Sequence, residues 1–225
     1  MNKVALVTGA AGGIGRAVSE ILLSEQYHLV LLDLNIVHEE SESTLALKCD
    51  VTKPETIYQA VTKSVEMFGR IDVLFNSAGR SHLGTVEQLS IKEMEAVYDV
   101  NVYGTFNAVK AVLPVMKRQG SGHIFNMGSM RGIHCSPGKS AYSMSKFAVR
   151  GFSKTLALES RDFGIKVTCI NPGFVETDQI WRRIKEEHLQ SSDLTQPQDI
   201  ARTVVWALNL SPGADVEEVT LGRLW

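Results

Sequence analysis

Seven short apolar runs recur along the chain at intervals too wide for hairpins: Lys3–Val7, His28–Leu32, Leu45–Cys49, Ile71–Phe75, His123–Met127, Lys166–Ile170 and Val216–Leu221. The first six are compact and largely apolar, the pattern of strands covered on both faces. Between most of them apolar residues return at helical spacing. Ala17, Ile21 and Leu22 form one stripe, and Ile57, Val61, Val65 and Phe68 another. A third such segment runs from Ser90 to about Gly120 and a fourth from Ser140 to about Phe163. Strand–helix alternation from end to end predicts an α/β fold, a parallel sheet of about seven strands with helices on both faces. Right-handed crossovers make such a sheet doubly wound. One unit is abbreviated. The residues from Leu34 to Cys49 are acidic and weakly periodic, which predicts a loop with little or no helix.

Composition adds bounds to this pattern. At 225 residues, 44% apolar and 21% charged, the chain suits one globular domain over residues 1–225, with no linker or low-complexity tract. A net charge of −2 with both signs interspersed argues against nucleic acid as a partner. The six histidines are scattered and build no metal-ligand spacing. Cys49, Cys135 and Cys169 lie far apart and are odd in number, which predicts reduced thiols in or near the core of a cytoplasmic protein. No apolar run approaches the roughly 20 residues that span a bilayer, and the residues from Met1 enter a strand pattern directly, which predicts no signal peptide in them.

The first strand run leads into VTGAAGGIGRA (Val7–Ala17), and the first helical stripe follows. Glycines in that context let backbone N–H groups approach a pyrophosphate at a helix N-terminus. The spacing, Gly9-x-x-x-Gly13-Ile14-Gly15, is not the commoner GxGxxG, and a glycine turn that merely reverses the chain is the simpler alternative. Asp33 weighs against that alternative. It ends the second strand run eighteen residues after Gly15, where a carboxylate can accept hydrogen bonds from ribose hydroxyls. The same carboxylate repels a 2′-phosphate. No Lys or Arg stands at Gly12, Leu34 or Asn35 to neutralise one, so NAD is expected rather than NADP.

The stretch SAYSMSK (Ser140–Lys146) places Tyr142 and Lys146 four residues apart, one helical turn, on one face. A phenol titrates near pH 10 and is a poor proton carrier at neutrality. An ammonium about 4 Å away, at an effective dielectric near 20, favours a phenolate by about 4 kcal/mol. Proton exchange then comes within reach of neutral pH. An isolated pair of this kind is more simply a solvated helix face.

Taken in order, Thr8-Gly9…Gly13-Ile14-Gly15, Asp50-Val51, Asn76-Ser77-Ala78-Gly79, Tyr142…Lys146 and Asn171-Pro172-Gly173…Thr177 resemble the motifs of the short-chain dehydrogenase/reductase family. Asn101 in DVNVYGTF and Ser129, thirteen residues before Tyr142, complete the resemblance. It implies a single Rossmann-type domain that moves a hydride between NAD(H) and a secondary alcohol or carbonyl. Ser129, Tyr142, Lys146 and Asn101 would form the proton-transfer site. Tyr142 would exchange the substrate proton and Ser129 would bond the substrate oxygen. Lys146 would hold the nicotinamide ribose, and Asn101 would position a water linking Lys146 to solvent. Asp50 and Val51 would contact the adenine; Asn76, Ala78 and Gly79 would brace the sheet and pass the adenosine ribose. Pro172, Gly173, Val175 and Thr177 would close over the nicotinamide. Two departures are mild: Ser77 stands where Asn is usual, and Gly128 where many relatives have a second Ser. A non-catalytic NAD(H)-binding sensor or scaffold is the alternative from another class, although such a protein needs none of the serine–tyrosine chemistry.

The resemblance also implies a substrate-loop region at about 178–196. Within it, Asp178–Gln190 puts Trp181, Ile184 and His188 on one helical face, either a lid or an ordinary amphipathic helix. Arg131 lies close enough in sequence to Ser129 to meet a substrate carboxylate, or else solvent. Second apolar stripes (Phe106, Val109, Leu113; Phe147, Phe152, Leu156) either build the helical interface of a homodimer or homotetramer, as in relatives, or face the sheet. His134 and Cys135 fall near the pocket without an assignable partner.

Overall fold

A computed structural model describes residues 2–177 and 194–222. Within them one sheet is built from β1 (Val4–Thr8), β2 (His28–Asp33), β3 (Glu39–Glu40), β4 (Thr44–Lys48), β5 (Val73–Asn76), β6 (Gly122–Met127), β7 (Ile165–Pro172) and β8 (Glu218–Leu221). Their order is β3-β4-β2-β1-β5-β6-β7-β8, and every pairing is parallel except β3 with β4. Helices α1 (Gly13–Ser24), α2 (Pro54–Phe68), α3 (Ile91–Tyr98), α4 (Thr105–Gln119), α5 (Ser140–Ser160) and α6 (Pro197–Leu208) cover the two faces.

The alternation of β1 sorts its side chains between two cores. Val4 and Leu6 enter a cluster with Ile57, Val112 and Leu156, while Ala5 and Val7 enter a second with Val18, Ile200 and Val204. Each face of the strand is therefore apolar, which is why the run reads as continuous rather than alternating. Local signals set the helix ends. Pro54 opens α2, where its missing N–H costs nothing, and Gly69 closes it at φ 78°. Ser90 and Glu93 form a reciprocal capping box at α3.

Three expectations are corrected. The sheet has eight strands rather than about seven, because the abbreviated unit after β2 folds back as the two-residue antiparallel β3 against β4. As expected, no helix forms there. The helical segment from Ser90 is interrupted: a π-helical turn, Asp99–Gly104, separates α3 from α4. Gly104 passes so close to Val51 that a Cβ there would lie 2.6 Å from Val51 Cγ2. The cysteines also differ. Cys49 and Cys169 are buried thiols, but Cys135 is exposed.

The second apolar stripes divide between their two readings. Val109 and Leu156 are buried in the core, whereas Phe106 and Phe147 are exposed. Phe106 packs against Phe152 with ring centroids 5.8 Å apart.

Candidate active site

The sheet order reverses direction at β1, with β2 on one side and β5 on the other. In open parallel sheets the crevice beyond the carboxyl ends at such a point receives ligands. Gly9 follows β1 there at φ +67°, and a Cβ on it would stand 2.6 Å from the Ala78 backbone nitrogen. At Gly15 a Cβ would stand 2.2 Å from the Gly9 carbonyl oxygen. Both positions require glycine, so the loop is tied to its residue types by close approach and not merely by a turn. Helix α1 begins at Gly13 with no side-chain cap and no acidic residue in its first turn. Its first N–H groups thus stay available to an anion.

Asp33 ends β2 beside this loop. Its carboxylate accepts the Ala11 N–H at 3.1 Å and the Asn35 N–H at 2.9 Å. Asp50 follows β4 and accepts the N–H and hydroxyl of Thr52 at 3.0 and 2.8 Å. Asn107 donates to the Val51 carbonyl at 3.0 Å. At the end of β5, Asn76 accepts from the Thr8 hydroxyl at 3.5 Å and donates to Asn126 at 2.9 Å. Asn126 in turn donates to Ser153 on α5 at 2.9 Å. This buried polar chain crosses β1, β5 and β6 and anchors α5 to the sheet. Asn126 went unassigned from sequence. The available signal was a buried-type strand (GHIFNM) interrupted by one amide, in register with Asn76.

Tyr142 and Lys146 lie one turn apart on α5. The Lys146 Nζ is 5.7 Å from the Tyr142 ring centroid and donates to the Met127 carbonyl at 2.7 Å. Lys146 is only 6% exposed, and among the described residues no carboxylate pairs with it. An ammonium so placed has two donors left for ligand oxygens. Ser129 is buried and extended at φ −174°, and its Oγ accepts the Arg131 N–H at 3.1 Å. That leaves the hydroxyl proton free to be donated elsewhere.

Asn101 occupies the π turn, where its side-chain amide makes three hydrogen bonds within the protein. Its Oδ1 accepts the Arg80 N–H at 2.7 Å, while its Nδ2 donates to the Arg80 carbonyl and to Ser145 Oγ, each at 2.9 Å. Ser145 closes the link by donating to the Tyr142 carbonyl at 2.7 Å. The amide therefore braces the loop beyond Gly79 against the helix of Tyr142, rather than bonding its own helix. Thr177 lies against Gly13, with its methyl 3.0 Å from the position of a Cβ there. Val175 pairs with Thr195, and the Gly173 N–H donates to the Leu221 carbonyl at 2.7 Å. Arg131 lies over the Phe174 ring at 6.0 Å. A cavity of about 470 Å³ opens on another flank of α5, lined by Cys135, Lys139, Ser143 and Phe147 among others, and not by Tyr142 or Lys146. His134 remains without a role. The helix expected at Asp178–Gln190, with Trp181, Ile184 and His188, lies outside the described residues.

The loop, the acid that ends β2, and the serine, tyrosine and lysine thus gather along the carboxyl edge of one sheet. A family model described as short chain dehydrogenase matches residues 3–188. The sequence is similar to an uncharacterised oxidoreductase of Staphylococcus saprophyticus, with 34% identity over 98% of this chain and 97% of the relative. It is also similar to oxidoreductase UcpA of Salmonella typhimurium, with 34% identity over 97% of this chain and 84% of the relative. Among solved structures, ElxO with NADP bound shares a TM-score of 0.87 at 26% identity, covering 99% of this chain and 97% of that one. Levodione reductase shares a TM-score of 0.87 at 26% identity, covering 98% and 96%.

Proposed function

The chain belongs to the short-chain dehydrogenase family, and on that premise we propose that it transfers a hydride between NAD(H) and a secondary alcohol or carbonyl compound, with Ser129, Tyr142 and Lys146 as catalytic residues. The observation that carries this reading is the buried Lys146 ammonium beside the Tyr142 ring, bonded to the Met127 carbonyl but to no carboxylate among the described residues, on a helix anchored to the serine-bearing sheet. Burying a charge without a counter-charge is costly unless a ligand completes the site. The residues present fit a dinucleotide: Gly9, Gly13, Ile14 and Gly15 offer backbone N–H groups to its pyrophosphate, and Asp33 an acceptor to its ribose. Lys146 offers two donors to the second ribose. Asp50 and Val51 would flank the adenine, Asn76, Ala78 and Gly79 the sheet edge, and Pro172, Gly173, Val175 and Thr177 the nicotinamide end. When bound, the nicotinamide supplies or accepts the hydride.

The chain's own residues then handle the proton. Ser129, its Oγ lone pair engaged by Arg131, donates its proton to the substrate oxygen and offsets the charge that develops there. Tyr142 gives a proton to that oxygen in reduction and removes it in oxidation. The Lys146 ammonium favours the phenolate that remains after reduction. Asn101 acts here by fixing the Arg80 loop against the Tyr142 helix, and a water held beside it would link Lys146 to solvent.

Asp33 supports NAD over NADP, because its carboxylate is held at the loop by two backbone N–H groups and faces any 2′-phosphate with like charge. The NADP-bound relative makes that choice worth a direct test. Three free cysteines support a reducing compartment, the cytoplasm. Exposed Tyr103 and Phe106 beside Val102, Val149 and Phe152 form an apolar hollow of about 230 Å³ that supports a homodimer or homotetramer. Among the described residues no helix is long and apolar enough to cross a membrane. The test is a titration with NADH and NADPH followed by nicotinamide fluorescence, then turnover of a panel of acyclic, cyclic and aromatic ketones. Tight NADH binding with reduction of a panel member supports the reading. Binding without turnover of any member favours a sensor, and absence of binding overturns it.

A further inference from the structure

Ser129 must hold its hydroxyl at a fixed distance from Tyr142, yet it sits on a turn between β6 and a single 3-10 turn, Met130–Gly132. What holds that turn is a side chain from another strand. The Asn171 Oδ1 on β7 accepts the Ser129 N–H at 3.2 Å, and the Asn171 Nδ2 donates to Glu218 Oε1 on β8 at 2.7 Å. Asn171 is 0% exposed. The Cys169 thiol also points at its oxygen, at 3.6 Å.

Space for the amide exists because residue 128 is glycine. A Cβ at Gly128 would stand 2.0 Å from the Asn171 oxygen and 2.9 Å from the Cys169 sulfur. The missing second serine of the motif is therefore matched by an amide that fills its volume and reaches the next backbone N–H.

The far end of the chain of bonds returns to the catalytic helix. Glu218 accepts from Arg150 Nε at 2.5 Å and from Nη2 at 3.1 Å, and Lys154 lies 3.4 Å away. Arg150 and Lys154 continue the four-residue row that begins with Tyr142 and Lys146, each one turn further along α5. Burial pushes the Glu218 carboxyl up, but Arg150 and Lys154 outweigh burial and hold it below its usual range. The carboxylate is thus charged and able to orient the amide.

We propose that Asn171, oriented by Glu218 and Arg150, is a positioning residue that fixes Ser129 relative to Tyr142. The circuit runs from α5 through β8 and β7 to the serine turn, and rests on the reading of Ser129 and Tyr142 given above. Two substitutions break the same bond from opposite sides. Asn171→Ala removes the acceptor, and Gly128→Ala forces the carboxamide away without removing it. Each is measured alone and in a Ser129→Ala background, with NADH affinity and single-turnover reduction of the fastest panel ketone, enzyme in excess. A misplacement near 1 Å can cost about 10²-fold in rate, so each single variant is expected to lose roughly tenfold or more in rate with NADH affinity unchanged. In the Ser129→Ala background the same substitutions are expected to change the rate by less than about twofold, since there is no hydroxyl left to position. Equal losses in both backgrounds, or single variants at the wild-type rate, overturn the proposal. Ser129→Ala at the wild-type rate instead overturns the catalytic reading beneath it, and that outcome is read from a different variant.

Discussion

Acidification from pH 7.5 to pH 5.0 is expected to weaken the fold through one core histidine. His123 on β6 is 6% exposed and stacks on Phe125 with centroids 4.0 Å apart. Its Nε2 lies 2.8 Å from the Thr168 hydroxyl oxygen, and that hydroxyl spends its proton on the Val216 carbonyl at 2.6 Å. Thr168 therefore accepts, and the neutral ring carries its proton on Nε2. A second proton would go to Nδ1 in a buried site. Burial, and next the nearby Lys166, push the folded-state value down from 6.5 to about 3. The folded value is depressed for a base, so the unfolded chain binds the proton first. The stability contributed is intact above pH 6.5 and falls as pH drops from 6.5 toward 3. At 1.36 kcal/mol per unit the loss is about 2 kcal/mol at pH 5 and about 5 kcal/mol by pH 3. Urea unfolding of the wild type and His123→Gln at pH 7.5 and 5.0 reads this directly, because glutamine keeps a donor for Thr168 but does not titrate. The wild type should lose about 2 kcal/mol more than the variant over that interval. Parallel losses in the two proteins would refute the reasoning, whatever glutamine costs at either pH.

Other outcomes follow from the site. Asp33→Ala should relax discrimination against NADPH by roughly tenfold or more, since each unit charge about 4 Å away contributes about 1 kcal/mol in water-like surroundings; unchanged relative affinities would show that another group sets the preference. Asn101→Leu strips the Arg80 N–H and carbonyl of their partners. It should cost about 2–4 kcal/mol in urea unfolding, and a cost below about 1 kcal/mol would mean the loop finds water instead. Gly9→Ala, at φ +67° and 2.6 Å from the Ala78 backbone, should abolish NADH binding before it abolishes the fold. Retained affinity in a folded variant would contradict the loop's assignment.

Much of this arrangement is legible in the sequence because its determinants are local. Gly9, Gly15 and Asp33 carry their meaning by spacing: Gly9 and Asp33 stand at the carboxyl ends of continuous apolar strands, and Gly15 in the first turn of the helix that follows. Tyr142 and Lys146 need only a helix to meet. What spacing could not reveal are the partners that the sheet order brings together. Asn101 and Arg80, Asn76 and Asn126, and Asn171 and Glu218 are each 21 or more residues apart and meet only after the strands have found their neighbours. The π turn at Asp99–Gly104 escapes a periodicity argument for a related reason, since one extra residue in a turn barely disturbs the apolar pattern. The two-residue β3 has no pattern of its own and exists only as an edge on β4.

The central claim is that Tyr142 moves the substrate proton. Tyr142→Phe removes one oxygen atom from a half-buried ring and leaves the Lys146–Met127 bond untouched. Measured as kcat on the fastest panel ketone alongside NADH affinity, the variant is expected to lose at least about 10²-fold in turnover while binding NADH as the wild type does. Turnover at the wild-type rate would contradict the account.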